Sequence, residues 1–128
     1  MKLYQAMASK LQAIENCLKS NNTEWLEKHQ ESLEELVKYN LPSGSGIDSG
    51  NTLDFENSDP NRLIIESSYH AMDEYGGYCG WFDYRVVVTP SLASNINLEI
   101  DGSFDGEGGE SLDEYLHSRY YDALCEEV

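Results

Sequence analysis

Between Glu99 and Glu114 the chain carries Glu99, Asp101, Asp105, Glu107, Glu110, Asp113 and Glu114, seven carboxylates in sixteen residues with no base among them. Carboxylates at this density suit two kinds of chemistry: coordination of a hard divalent cation, or presentation of negative charge to a basic surface. For the cation, Asp101, Ser103, Asp105 and Gly106 stand at positions one, three, five and six of an EF-hand loop. Leu112 stands where the bidentate Glu belongs, and a strand, not a helix, is expected ahead of the loop. No metal ligand set and no cofactor is therefore assigned. For the basic surface, alternate residues on one face of a strand lie ~6.6 Å apart and helix residues four apart rise ~6 Å, within about a factor of two of the phosphate spacing along a nucleic-acid strand. Such a surface imitates a phosphate backbone; as structure alone, the same run is a solvated loop that keeps the protein in solution.

Other reactive residues are sparse. The histidines at 29, 70 and 117 and the cysteines at 17, 79 and 125 form no CxxC and no paired ligand spacing. This suggests neither a disulfide framework nor a zinc knuckle, and fits a reducing cytoplasm. A nucleophilic pair of Cys79 with His70 across a hairpin is geometrically open but has no third, orienting group, so no catalytic residue is assigned. The run LPSGSGIDSG lacks the Lys-Ser or Lys-Thr of a phosphate-binding loop and reads as a flexible connection. Around residues 69–84 the aromatics Tyr69, Tyr75, Tyr78, Trp81, Phe82 and Tyr84 cluster beside Asp73, Glu74 and Asp83. By alternation about half of these rings belong to the core. The others, Tyr78 and Trp81 among them, suit an aromatic anchor with an acidic rim.

The charge of the whole chain points the same way. Lys and Arg number 8 against 24 Asp and Glu, and Arg62, Arg85 and Arg119 are the only strong bases after residue 40. A nearly neutral front thus precedes a strongly anionic body, which repels phosphate and anionic lipid and attracts basic protein surfaces. The expected partner is a basic protein surface, with no direct nucleic-acid binding and no membrane. The opening residues lack the apolar run of a signal peptide, and no stretch approaches membrane-spanning length.

The elements that must position these groups follow from periodicity. Leu3, Met7, Leu11, Ile14 and Leu18 form one helical stripe, and Leu26, His29, Leu33, Leu36 and Val37 form a second after Asn21, Asn22 and Thr23, each able to cap it. Pro42 and the following glycines end this antiparallel hairpin. Strands are expected over 52–56, 62–69, 81–89 (stopped by Pro90) and 95–100, with Gly76 and Gly77 turning the central hairpin in positive φ. Ser111 and Glu114 read as a capping box opening a last helix over 112–125, whose stripe is Leu112, Leu116, Tyr120, Ala123 and Leu124. The fold class is α+β in the order ααββββα: one domain over 1–128, made of a helical hairpin at 1–40, an antiparallel meander at 51–104 and a C-terminal helix at 111–125 packed on one face of the sheet.

The segments LPSGSGIDSG, YHAMDEYGGYCGW and VVVTPSL together resemble a family of small uncharacterised bacteriophage proteins, a resemblance that implies no activity. In size and charge the chain is also similar to phage anti-restriction and anti-CRISPR proteins that act as acidic DNA mimics. The expectation is a small acidic inhibitor, not an enzyme, that occupies the nucleic-acid-binding surface of a host nuclease or related complex in the host cytoplasm. Its contact residues are expected to be Asp73, Glu74, Tyr78, Trp81, Asp83, Glu99, Asp101, Asp105, Glu107, Glu110, Asp113 and Glu114. Two alternatives are kept: an interaction or assembly module using the helical hairpin or the aromatic patch, and a cation-binding or cysteine-dependent enzyme.

Overall fold

In a computed structural model, described for all residues except 49, 92–94 and the side chain of Tyr78, the chain forms α1 (Leu3–Lys19), α2 (Thr23–Asn40), β1 (Thr52–Leu53), β2 (Leu63–Met72), β3 (Tyr78–Ser91), β4 (Asn95–Gly102) and α3 (Leu112–Leu124). The four strands make one antiparallel sheet in sequence order. The α+β class, the ααββββα order and the meander are those expected from periodicity.

Register explains which side chains are covered. Leu63, Ile65, Phe82, Tyr84, Val86, Val88, Ile96 and Leu98 share one face of the sheet and join Leu3, Met7, Leu11, Leu33, Val37, Leu116, Tyr120 and Leu124 of the helices in a single core. The opposite face carries Glu66, Ser68, His70, Trp81, Asp83, Arg85, Glu99 and Asp101. Ile64 shares that outer face yet is buried; the turn after β1 is bonded to it, with Asp54 N–H donating to its carbonyl and Ser58 Oγ accepting from its N–H.

Several boundaries differ from expectation for local reasons. The stripe of α1 ends on buried Cys17, while Leu18 is 58% exposed, because a step of three from Ile14 stays closer to the hairpin interface than a step of four. Asn22 caps α2, accepting from Trp25 N–H at 3.3 Å. β1 ends at Leu53 because the Asp54 carboxylate accepts from the backbone N–H and side-chain amide of Asn57 and bends the chain into a turn. β3 runs through Pro90. There it faces Ile96 of β4, and β2 has already ended at the Leu63–Val88 pair, so the N–H that proline lacks points to a side with no strand.

Of the segment expected to be a flexible connection, residues 44–48 form an ordered turn, and residue 49 lies outside the described residues. Gly44, Ser45 and Gly46 all have positive φ, Ile47 is buried, and His70 N–H donates to Gly46 O at 2.7 Å while Asp48 N–H donates to Ser68 O at 2.9 Å. At Gly46 a Cβ would lie 2.5 Å from the Tyr69 ring, so glycine is needed both for the conformation and for the close approach. Ser111 is not a capping box. Its backbone is left-handed, at φ 57°, and its hydroxyl makes no bond to the first turn.

A buried polar chain joins three elements. Tyr120 Oη lies 2.8 Å from Tyr84 Oη and donates to Asn51 Oδ1, and Asn51 Nδ2 donates to Pro42 O at 2.9 Å. The helix, the sheet and the chain at Pro42 and Asn51 are thereby locked in one arrangement.

Candidate functional site: an acidic sheet face and its rim

Alternation along β2, β3 and β4 sends every second side chain away from the helices, and on that outer face acids dominate. Asp83 on β3 and Glu99 and Asp101 on β4 are expected contact residues that the fold places there. Glu66, Asp54 and Asp48 join them and were not singled out from the sequence. Arg85 sits among these acids, 3.7 Å from Asp54 Oδ2 and 3.8 Å from Glu66 Oε1, with Asp101 its partner in register. Exposed Arg62 borders the far end of the same face beside Val87 and Glu99, so two guanidiniums stand among six carboxylates and the face is net anionic.

At one end of this face stands the aromatic group. Trp81 is 53% exposed, stacks on His70 with ring centroids 3.9 Å apart, and donates from Nε1 to Asp83 Oδ1 at 2.7 Å. His70 Nε2 is 3.7 Å from Asp48 Oδ2. Met72 and Tyr75, at 58% and 89%, extend the exposed apolar surface to the hairpin tip, whereas Phe82 and Tyr84 are core. Tyr78, whose backbone opens β3, has its side chain outside the described part of the structure. Asp73 shapes the tip: its Oδ1 accepts from Tyr75 and Gly77 N–H at 2.9 and 2.7 Å, and of the two glycines only Gly76 takes positive φ. Glu74 is exposed on the same turn.

The dense acidic run is split among three places. Glu99 and Asp101 lie on the outer face; the loop carrying Asp105, Glu107 and Glu110 folds back toward the central hairpin; Asp113 and Glu114 lie on the first turn of α3. The loop approaches so closely that a Cβ on Gly108 would stand 2.5 Å from that of Ala71, and Glu110 accepts from Gly108 N–H at 3.1 Å. Glu107 and Glu110 are thus brought to Asp73 around Cys79.

That neighbourhood bears on the enzyme alternative. The β-bulge beside Ala71 turns Cys79 toward Gly108, whereas His70 lies on the outer face against Trp81, so the two do not meet. Burial, then the charges of Glu107, Asp73 and Glu110, push the Cys79 thiol above its ordinary range. Iodoacetamide at pH 7.5 is therefore expected to label Cys79 several-fold more slowly than free glutathione, read by peptide mass spectrometry; faster labelling would show an activated thiol. The EF-hand spacing also fails in space, because Asp101 is a strand residue facing Arg85 while Ser103 Oγ bonds Asp105 Oδ2 at 3.3 Å. Among the described residues no group of three or more His, Cys, Asp or Glu is placed to hold a metal ion. No helix among them is long and apolar enough to cross a membrane.

Asp48 ties the face to the fold. Gly50 N–H, then the Ser68 hydroxyl, hold its carboxyl below the ordinary value of 3.8, with His70 adding to the effect. The charged form is favoured in the fold, so the stabilisation is present above the unfolded value and is lost as pH falls through the lower folded one. Asp48→Asn is expected to lower the melting temperature at pH 7, and its gap from the parent protein is expected to begin narrowing as pH falls below about 4. An unchanged gap at pH 3 would assign the loss to shape and not to charge.

Compared with protein-family models, with curated proteins and with solved structures, the chain matches none.

Proposed function

We propose that this protein is a small acidic binding protein of the phage-inhibitor kind, which occupies a basic nucleic-acid-binding surface of a host nuclease or nucleic-acid-handling complex and has no catalytic role. The observation that carries this reading is the outer sheet face, where Asp83, Glu99 and Asp101 stand at outward strand positions with Glu66, Asp54 and Asp48 around Arg85, and Arg62 at the border beside Glu99. Glu99 and Asp101 lie ~6.6 Å apart along β4, within about a factor of two of the phosphate spacing along a nucleic-acid strand, and Asp83 and Glu66 carry the charge onto the neighbouring strands. Half-exposed Trp81 and the neighbouring Met72 supply apolar contact area at the edge of the charge.

Affinity capture from a bacterial lysate tests this reading. A nucleic-acid-binding protein recovered at low salt and released both by high salt and by excess duplex DNA is the expected result. A second reading, an assembly surface at Met72, Tyr75 and Trp81, is favoured by their exposure. It predicts a partner that survives both challenges, and that result would overturn the first.

A further inference from the structure

Among the described residues β4 is an open edge of the sheet, paired with β3 alone. An edge strand presents outward N–H and C=O groups at every second residue, and proteins usually cap or cover them. Here the first half is capped. Ile96 N–H donates to Asn95 Oδ1 at 2.9 Å, Tyr121 Oη holds that same oxygen at 2.7 Å, and His117 Nε2 lies 3.1 Å from Leu98 O. These bonds fix the parity, so the groups of Ile96, Leu98, Ile100 and Gly102 point outward. Among the described residues nothing caps Ile100. Beside it lies a cleft of about 290 Å³ walled by Asp113, Glu114, His117 and Ser118 of α3.

The uncapped half is flanked by carboxylates on both sides: Glu99 and Asp101 on the outer face, Asp113 and Glu114 in the cleft. A second copy of this chain is disfavoured there. Antiparallel pairing of two β4 strands about Ile100 sets Glu99 of one against Asp101 of the other, and like charges directly opposite are destabilising. A basic strand meets the opposite situation, because its side chains alternate between the two faces and each finds an acid.

We propose that the uncapped β4 edge from Ile100 to Gly102 receives an extended, Lys/Arg-rich segment of a protein partner as a fifth strand. This rests on the acidic-partner reading above and adds the mode of binding, main-chain pairing supplying affinity and the four carboxylates supplying selectivity.

The test compares a fluorescein-labelled eight-residue peptide of mixed Arg, Lys and Val with the same peptide methylated at every backbone amide, which keeps the charge and removes strand pairing. Both are titrated against the intact protein at low salt by anisotropy, with hydrogen exchange of the Ile100 amide followed by NMR. The expected result is at least tenfold weaker binding after methylation, and slowing of Ile100 exchange by the unmethylated peptide alone. Equal binding of the two peptides, or no change at Ile100, overturns strand addition while the acidic-face reading stands. Binding of neither peptide also overturns it, and loss of the DNA-displaceable partner in the capture experiment separately overturns the wider reading.

Discussion

Converting Asp83, Glu99 and Asp101 to their amides is expected to weaken partner binding by roughly a hundredfold, about 1 kcal/mol for each charge removed from a desolvated basic contact. The same variant should bind with a much flatter dependence on salt, since fewer ionic contacts remain to be screened. Folding should survive. The side chains of Glu99 and Asp101 face solvent, the amide replacing the Asp83 carboxylate would keep an oxygen for Trp81 Nε1, and Arg85 would keep Asp54 and Glu66. Relief of like-charge repulsion in a chain of net charge −16 should hold or raise the melting temperature. Full affinity in a folded variant would remove the outer face from the interface.

Tyr120→Phe is expected to cost about 2–3 kcal/mol of stability, read by urea unfolding, because it deletes one hydroxyl and strands the buried Asn51 Oδ1 that the hydroxyl served. For a chain of this size that corresponds to a fall of roughly 10 °C in the melting temperature. The ring remains, so packing of Tyr120 against Tyr84 is kept and the loss measures the polar chain itself. A cost below about 0.5 kcal/mol would show that water replaces the hydroxyl and that the network does not lock the three elements together.

Period and turn chemistry made the fold legible: the stripes at Leu3–Ile14 and Leu112–Leu124 and the alternation at Ile96–Leu98–Ile100 each report one buried face. What they could not report was non-local. Pro90 reads as a stop unless one knows that β2 has already ended beside it, and SGSG reads as slack unless Tyr69 is seen lying against Gly46. The candidate site divides in the same way. Glu99 and Asp101 were visible through the density of acids, and Asp83 through its place beside the aromatic hairpin; that they share one face follows from the parity of β3 and of a β4 that runs past Ile100. Glu66 obeys the same parity but sits alone after a run of Ile, and Asp48 reaches the face only through the turn that pairs with Ser68 and His70. The density of acids near Asp105 was visible too, but not the fold-back that carries Glu107 and Glu110 to Cys79.

The stacking of Trp81 on His70 gives the molecule a built-in optical reporter. The chain has two tryptophans, and the other, Trp25, lies on α2 beside His29. With Trp25 replaced by Phe, the remaining indole fluorescence comes from the rim of the acidic face, so dehydration of that ring by an arriving surface registers as a blue shift without any attached dye.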